Sequence, residues 1–423
     1  MKTQIDALSL ELPTTAQATP YRVKAAANAA PLRLDRVAPS KKIGFLFVHE
    51  RSHHIPHSAP ILNALALQSR KYEIHAFVRK QENLALLKSL LSQEALRRIK
   101  LMVLKTPVAA TGLEFVAGGA APLGRIGALY ANRDVLKNMD VIVSPETTCL
   151  LLKTRFGLDK VKFVYSQHGA GDRAIGFNSS LKKFDHILVP GQKILDRMLN
   201  DDIICDCNST VVGYPKFDIV DLNATHSSRL FDNDNPTVLY NPHFDPGLSS
   251  WFEQGEQVLE YFVERPDYNL IVAPHIMLFT RRLHVSGDFK NLKWRRRIER
   301  RYFDCPNILI DTGSNASIDM TYTRAADIYI GDVSSQVYEF LYQPGLCIFL
   351  NTHGVDWAGD PNYAHWDLGK VISSPTEIDG LLAQRTWLRQ FYMERQKTAF
   401  RNTFGNSVTG SANRAAQALE QLA

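Results

Sequence analysis

The stretch from Ala325 to Leu350, AADIYIGDVSSQVYEFLYQPGLCIFL, leaves few folds open to this chain. A short apolar strand, Ile328 to Ile330, runs into Gly331-Asp332-Val333-Ser334-Ser335, and an amphipathic helical run from Gln336 to Tyr342 follows. Pro344-Gly345 stops that run, and a second strand, Leu346 to Leu350, begins. A strand–loop–helix–strand unit of this kind stacks into a parallel α/β sheet. Small hydroxyl residues open the helix at the strand's carboxyl end. Ser334 and Ser335 either cap the helix or, with free backbone N–H groups and the positive end of the dipole, seat a phosphate.

The same alternation recurs on both sides. KKIGFLFVHE, beginning at Lys41, is a buried-type strand followed by the loop HERSHHIPHSAP and the helical run ILNALALQ. YEIHAFVR, KLMVLKT, DVIVSPE, KFVYSQHG, HILVPG and STVVGYP continue the series with helical stretches between them. GLEFVAGGAAPLGRIGALY, rich in Gly and Ala, reads as a mobile loop with a short helix. The polar, turn-rich segment Asp221 to Pro236 reads as a linker. After it come TVLYNPH, the helix WFEQGEQVLEYFVER, NLIVAPH, NILIDT, the unit already described, and VISS. The expected architecture is therefore two doubly wound, Rossmann-like parallel-sheet domains facing a cleft. Residues 1–40 form an extension, 41–222 and 236–385 the two domains, and 386–423 a helical segment crossing back to the first. Ligands of such folds bind outside the carboxyl ends of the strands.

Composition narrows function. With 423 residues and 45% apolar content, the chain has material for two sizeable cores. Its net charge of +6 fits an anionic ligand or membrane surface and gives no argument for nucleic acid. Five scattered cysteines suit a reducing cytoplasm; Cys149 and Cys347 read as buried hydrophobes, and Cys205 and Cys207 stand too close for an ordinary disulfide. No run of about 18 apolar residues occurs.

Four strand-end motifs carry candidate chemistry. His168, in QHGAGDR with Arg173, has the open approach and pKa of a general base, against the alternative of a turn cap. His275, in APH, could meet a phosphoryl group or be a satisfied structural histidine. Thr312, Gly313 and Ser314 follow a strand and suit a phosphate, or form a plain turn. The fourth motif is the loop Asp332 to Ser335. His49, His53, His54 and His57 crowd one loop; with no Cys or carboxylate at a diagnostic spacing, contact with an acceptor or a solvated loop is expected rather than a metal. Trp294 to Arg301, with Arg281 and Arg282, reads either as a solvated helix face or as a patch for anionic lipid headgroups or a polyanionic acceptor.

GYPKFD (Gly213–Asp218), YNPHFD (Tyr240–Asp245), the HG of SQHG, the histidine of APH and GDVSS before a helix occur in one order. In that order the chain, from roughly Lys41 to Ser373, resembles the CDP-glycerol glycerophosphotransferases of teichoic-acid and capsule polymerase type. The resemblance implies a GT-B fold without a bound metal or cofactor, and transfer of glycerol phosphate from CDP-glycerol to a hydroxyl of a surface polymer or lipid-linked precursor. It implies a cytoplasmic protein, peripheral on the inner face of the membrane. His168 resembles the family's base and His275 its donor-phosphate histidine. Ser334 and Ser335, with Asp332, fall where the family's paired serines bind pyrophosphate. His243-Phe244-Asp245 stands where the family shows Thr-Trp-Arg, and Gly331-Asp332-Val333 where it shows Thr-Asp-Tyr. QHGAGDR is also similar to the His-Glu-Ala-Gly-Leu-Arg loop of UDP-sugar 2-epimerases. A UDP-sugar transferase or epimerase, and a non-catalytic nucleotide-binding protein, are the competing readings.

Overall fold

A computed structural model describes residues 41–49, 52–116, 122–220, 222, 230–288 and 290–423. The expected extension and half of the expected linker lie outside these residues. The first sheet comprises β1 (Lys41–Phe47), β2 (Tyr72–Val78), β3 (Ile99–Val103), β4 (Val141–Ser144), β5 (Lys162–Ser166), β6 (His186–Val189) and β7 (Ser209–Val211). All pairs are parallel, in the spatial order β3-β2-β1-β4-β5-β6-β7. After two three-residue strands, β10 (Leu283–Val285) and β11 (Leu292–Trp294), are set apart, the second sheet follows the same plan. It comprises β8 (Thr237–Asn241), β9 (Asn269–Val272), β12 (Ile308–Ile310), β13 (Ile328–Gly331), β14 (Leu346–Leu350) and β15 (Lys370–Ile372), parallel in the order β12-β9-β8-β13-β14-β15.

Burial follows from strand period. In β1, Ile43, Phe45 and Phe47 enter one core and Leu46, with Val48 beyond the strand, enters the other, so helices must cover both faces. In each sheet the chain leaves one central strand and returns beside it on the opposite side, between β1 and β4 and between β8 and β13. At such a switch point the two adjoining loops diverge and leave a crevice. The histidine-rich loop follows β1, Pro145 and Glu146 follow β4, His243 follows β8 and Asp332 follows β13.

Several local expectations change. The middle of the Gly- and Ala-rich stretch, residues 117–121, lies outside the described residues, and helices Val108–Val116 and Leu123–Ala131 run up to it from either side. The helix opened by Ser335 ends at Phe340. The arginine run is not a helix face: Trp294 ends β11, which pairs antiparallel with β10, and only Arg300–Phe303 is helical. Cys205 and Cys207, expected to be unpaired, are joined as a disulfide; Cys149 and Cys347 are fully buried. The C-terminal segment is two helices, Arg385–Phe404 and Ser411–Leu422, broken by glycines at positive φ, Gly405 and Gly410. The second helix sends Ala412, Ala415 and Leu419 into the core of the first sheet beside Leu62 and Leu65. Asp218 accepts the backbone N–H groups of Gly410 and Ala412 at 2.6 Å each, tying that helix's start to the first half. Among the described residues no helix is long and apolar enough to cross a membrane.

Candidate active site

The two sets of strand ends meet. Gly169, at φ +77°, and Gly171 let the loop after β5 run against Ser335 of the second half. A Cβ added at Gly171 would stand 3.0 Å from the Cβ of Ser335, and one at Gly169 would stand 3.2 Å from its Oγ. The glycines after His168 are thus needed for approach, and they bring the candidate base against the candidate phosphate loop.

His168 is held by its backbone neighbour. Its Nδ1 donates to the Pro145 carbonyl at 2.6 Å, which leaves the lone pair on Nε2. The ring lies 3.9 Å, centroid to centroid, from that of His54, and 6.3 Å from those of His53 and His57. On the other side, His275 stands 6.1 Å from His53 and 5.4 Å from His243. Seven imidazoles, those of His49, His53, His54, His57, His168, His243 and His275, form one connected cluster across the cleft. Burial lowers the pKa of His168, opposed by its hydrogen bond to Pro145. His275 is pushed down to about 4 by burial and by its neighbours His168 and Arg173. His53, His54, His57 and His243 are likewise driven well below the ordinary imidazole value, first by burial and then by neighbouring histidines, with Lys216 adding to this at His57 and Arg173 at His243. The loop is therefore packed rather than solvated, with His54 and His57 buried and His49 and His53 partly exposed.

Arg173 Nη1 lies 3.4 Å from His243 Nε2, with the Asp245 carboxylate nearby, so the guanidinium reaches into the second half's strand ends. Asp332 does something other than expected. Its buried carboxylate accepts the backbone N–H of His243 at 2.8 Å, that of Ser250 at 2.7 Å and the Ser250 hydroxyl at 3.0 Å. Burial raises its pKa against these hydrogen bonds. A carboxylate so occupied faces inward and would repel a phosphate; it sets the position of His243. Ser334 Oγ accepts the Gln336 N–H at 3.3 Å, the capping alternative, and the five-residue helix beyond it supplies little dipole. Ser335 is the hydroxyl that faces the cleft glycines. Nor are the N–H groups of Gly313 and Ser314 free for a ligand. Both donate to Asp311 Oδ1 at 2.8 Å, and Tyr322 and Ser317 hold Oδ2, leaving Thr312 exposed on a self-contained turn.

Two buried clasps, absent from the sequence reading as contacts, hold the halves in this register. Lys216 Nζ and Tyr214 Oη donate to Glu339 Oε1 at 2.6 and 2.8 Å. Asp172 receives Lys193 Nζ at 2.9 Å, Tyr338 Oη at 2.7 Å and His365 Nδ1 at 2.9 Å. Burial pushes the Asp172 pKa up, but Lys193 and His365 prevail and hold it well below the usual carboxylate range. The only signal for these pairs was GYPKFD and the acidic residue in QHGAGDR, whose partners in the other half lie more than a hundred residues away.

Comparison with solved structures finds the same fold. The wall teichoic acid polymerase TagF, in a CDPG-soaked crystal, is 14% identical with a TM-score of 0.58, over 90% of this chain and 87% of that one. UDP-GlcNAc 2-epimerase from Neisseria meningitidis bound to UDP-GlcNAc is 13% identical with a TM-score of 0.56, over 90% and 100%. MnaA of S. aureus with UDP is 12% identical with a TM-score of 0.57, over 90% and 96%. No protein-family model matches this sequence. No curated protein matches it either. The likeness is one of fold, and the fold is GT-B.

Proposed function

We propose that the protein is a transferase that binds a nucleotide-activated donor on its second half and moves an alditol phosphate, glycerol phosphate from CDP-glycerol, to an acceptor hydroxyl. The hydroxyl belongs to a surface polymer or its lipid-linked precursor, met at an anionic membrane surface. In this reading the acceptor oxygen attacks the glycerol-bearing phosphorus, the bond to CMP breaks, and the hydroxyl proton passes to His168 Nε2. Arg173 and His275 face the charge that develops on the phosphoryl oxygens, and Ser335 holds the diphosphate. His49, His53 and His54 line the acceptor side. Such a reaction asks for positioning and charge stabilisation more than for covalent chemistry.

The observation that carries the proposal is the tautomer of His168. Its Nδ1–H is spent on Pro145, so the basic nitrogen is Nε2, on the loop whose glycines run against Ser335. His168→Ala is expected to lower transfer about 10²–10⁴-fold, the usual contribution of a general base, with donor affinity retained. Loss of donor binding together with turnover would make His168 a binding residue and end the base assignment. The second reading, a UDP-sugar enzyme, is favoured by the solved neighbours holding UDP and UDP-GlcNAc. Thermal-shift titration with CMP, CDP-glycerol, UDP and UDP-GlcNAc separates the two, since a ligand of the folded state raises Tm by mass action. Stabilisation by uridine nucleotides alone would replace CDP-glycerol with a UDP-sugar.

A further inference from the structure

We infer that His49, His53 and His54 form a binding site for one divalent transition-metal ion of the zinc class, open toward the cleft. The expectation of no metal rested on spacing along the chain; in space the three imidazoles offer ligand nitrogens that all lie within 4.8 Å of one another. Zinc–imidazole bonds of about 2.0–2.1 Å set donors in a tetrahedral site about 3.4 Å apart. Closing that difference requires side-chain rotation of His53 and His54, which share the short turn Ser52–His54, and of His49 before it.

A second observation points the same way. Among the described residues, Nδ1 of His53 and Nδ1 of His54 are buried and have no hydrogen-bond partner, and His54 is only 5% exposed. A buried polar atom left unpaired is costly, and native interiors pair nearly all of theirs. A metal ion is a partner that an imidazole lone pair accepts without a donor hydrogen. The chemistry of the set is selective as well. Three neutral nitrogens with no carboxylate among them suit zinc, copper, nickel or iron and disfavour magnesium and calcium. Three protein ligands also leave a fourth position for water or a substrate oxygen, the pattern of catalytic zinc rather than structural zinc. That position would lie toward His168 and His275, whose rings stand 6.3 and 6.1 Å from that of His53.

The test is a zinc titration of the full-length, EDTA-stripped protein against a chromogenic chelator, with bound metal counted by mass spectrometry. Cys305→Ser is carried throughout, so that the partly exposed free thiol does not contribute, and Cys205 and Cys207 stay joined as the disulfide. One zinc per chain is expected, bound at least about a hundredfold more tightly than by the His49→Ala/His53→Gln variant, since even outer-shell losses cost 10–100-fold. Equal affinity in the two proteins would overturn the site. Should the variant fail to fold, the cobalt(II) spectrum of the parent decides. Intense visible bands of a nitrogen-ligated, low-coordinate ion support the proposal, and a spectrum like that of the hydrated ion refutes it. The site does not depend on the donor reading: zinc binding with no nucleotide response would remove the transferase proposal and leave the metal site standing.

Discussion

Replacing Lys216 by methionine removes one side of a buried pair and leaves the other in place. Lys216 and Glu339 side chains are 3% and 6% exposed, and their N–O distance is 2.6 Å. After Lys216→Met, the Glu339 carboxylate keeps one side-chain donor among the described residues, the Tyr214 hydroxyl at 2.8 Å. A hydrogen bond to a charged group returns about 1.5–3 kcal/mol, whereas an ion stranded by loss of its partner costs about 3–5 kcal/mol. The expected loss of stability is therefore about 3–5 kcal/mol, concentrated at the junction between the halves. Adding Glu339→Gln removes the stranded charge while keeping the shape, and most of the loss should return, to within about 1 kcal/mol of the parent. Urea unfolding of the parent, both single variants and the double variant, followed by tryptophan fluorescence, gives the cycle. Because two halves can unfold separately, the transition assigned to their separation is the one to compare. If Lys216→Met lies within 0.5 kcal/mol of the parent, on the order of an ordinary surface change, or if the double variant is no better than the single, the clasp is not the buried pair described.

The cleft glycines give a second prediction. Gly171→Val places its branch on Ser335, whose Cβ already lies 3.0 Å from an added methyl, so donor affinity should fall at least about tenfold. An unchanged nucleotide thermal shift would show that Ser335 does not touch the donor. The third concerns the hairpin of β10 and β11. Leu283, Val285, Leu292 and Trp294 share one face, 43–63% exposed, with Arg282, Arg296 and Arg297 beside them. Leu292→Asp/Trp294→Glu should weaken cosedimentation with phosphatidylglycerol vesicles by about tenfold or more, since each buried side chain of this size is worth about 1.5–3 kcal/mol. Equal sedimentation of parent and variant would dismiss the membrane surface as a partner of this face.

What could be read from the chain was local. The strands of both large sheets announce themselves as short apolar runs, several of them ended by Gly, Pro or His, and the parallel plan follows from the helices between them. The hairpin escaped because its strands have three residues each and turn their apolar side outward, so no core-facing alternation marks them. The placement of His168, Arg173 and Ser335 at the cleft was legible because a strand end followed by glycines or serines is a local signature. Asp332, Gly313 and Ser314 were misjudged because a local signature does not say where a hydrogen bond goes. Asp332 turns to Ser250, 82 residues before it, and the other two turn to Asp311. The same limit hid the clasps and the meeting of His53 with His275.

The return of helix Ser411–Leu422 to the first sheet bears on how the protein is made. Helix Ile55–Gln68 emerges from the ribosome early, yet the leucines on one of its sides have their covering layer in Ala412, Ala415 and Leu419. At about 5–20 residues per second, the intervening roughly 350 residues take on the order of 20–70 seconds to appear. During that interval the nascent first half carries an open apolar flank, and Asp218 waits without the backbone N–H groups of Gly410 and Ala412. The half synthesised first is therefore the half completed last, and a chain stopped at Gly405 would keep that flank exposed for good.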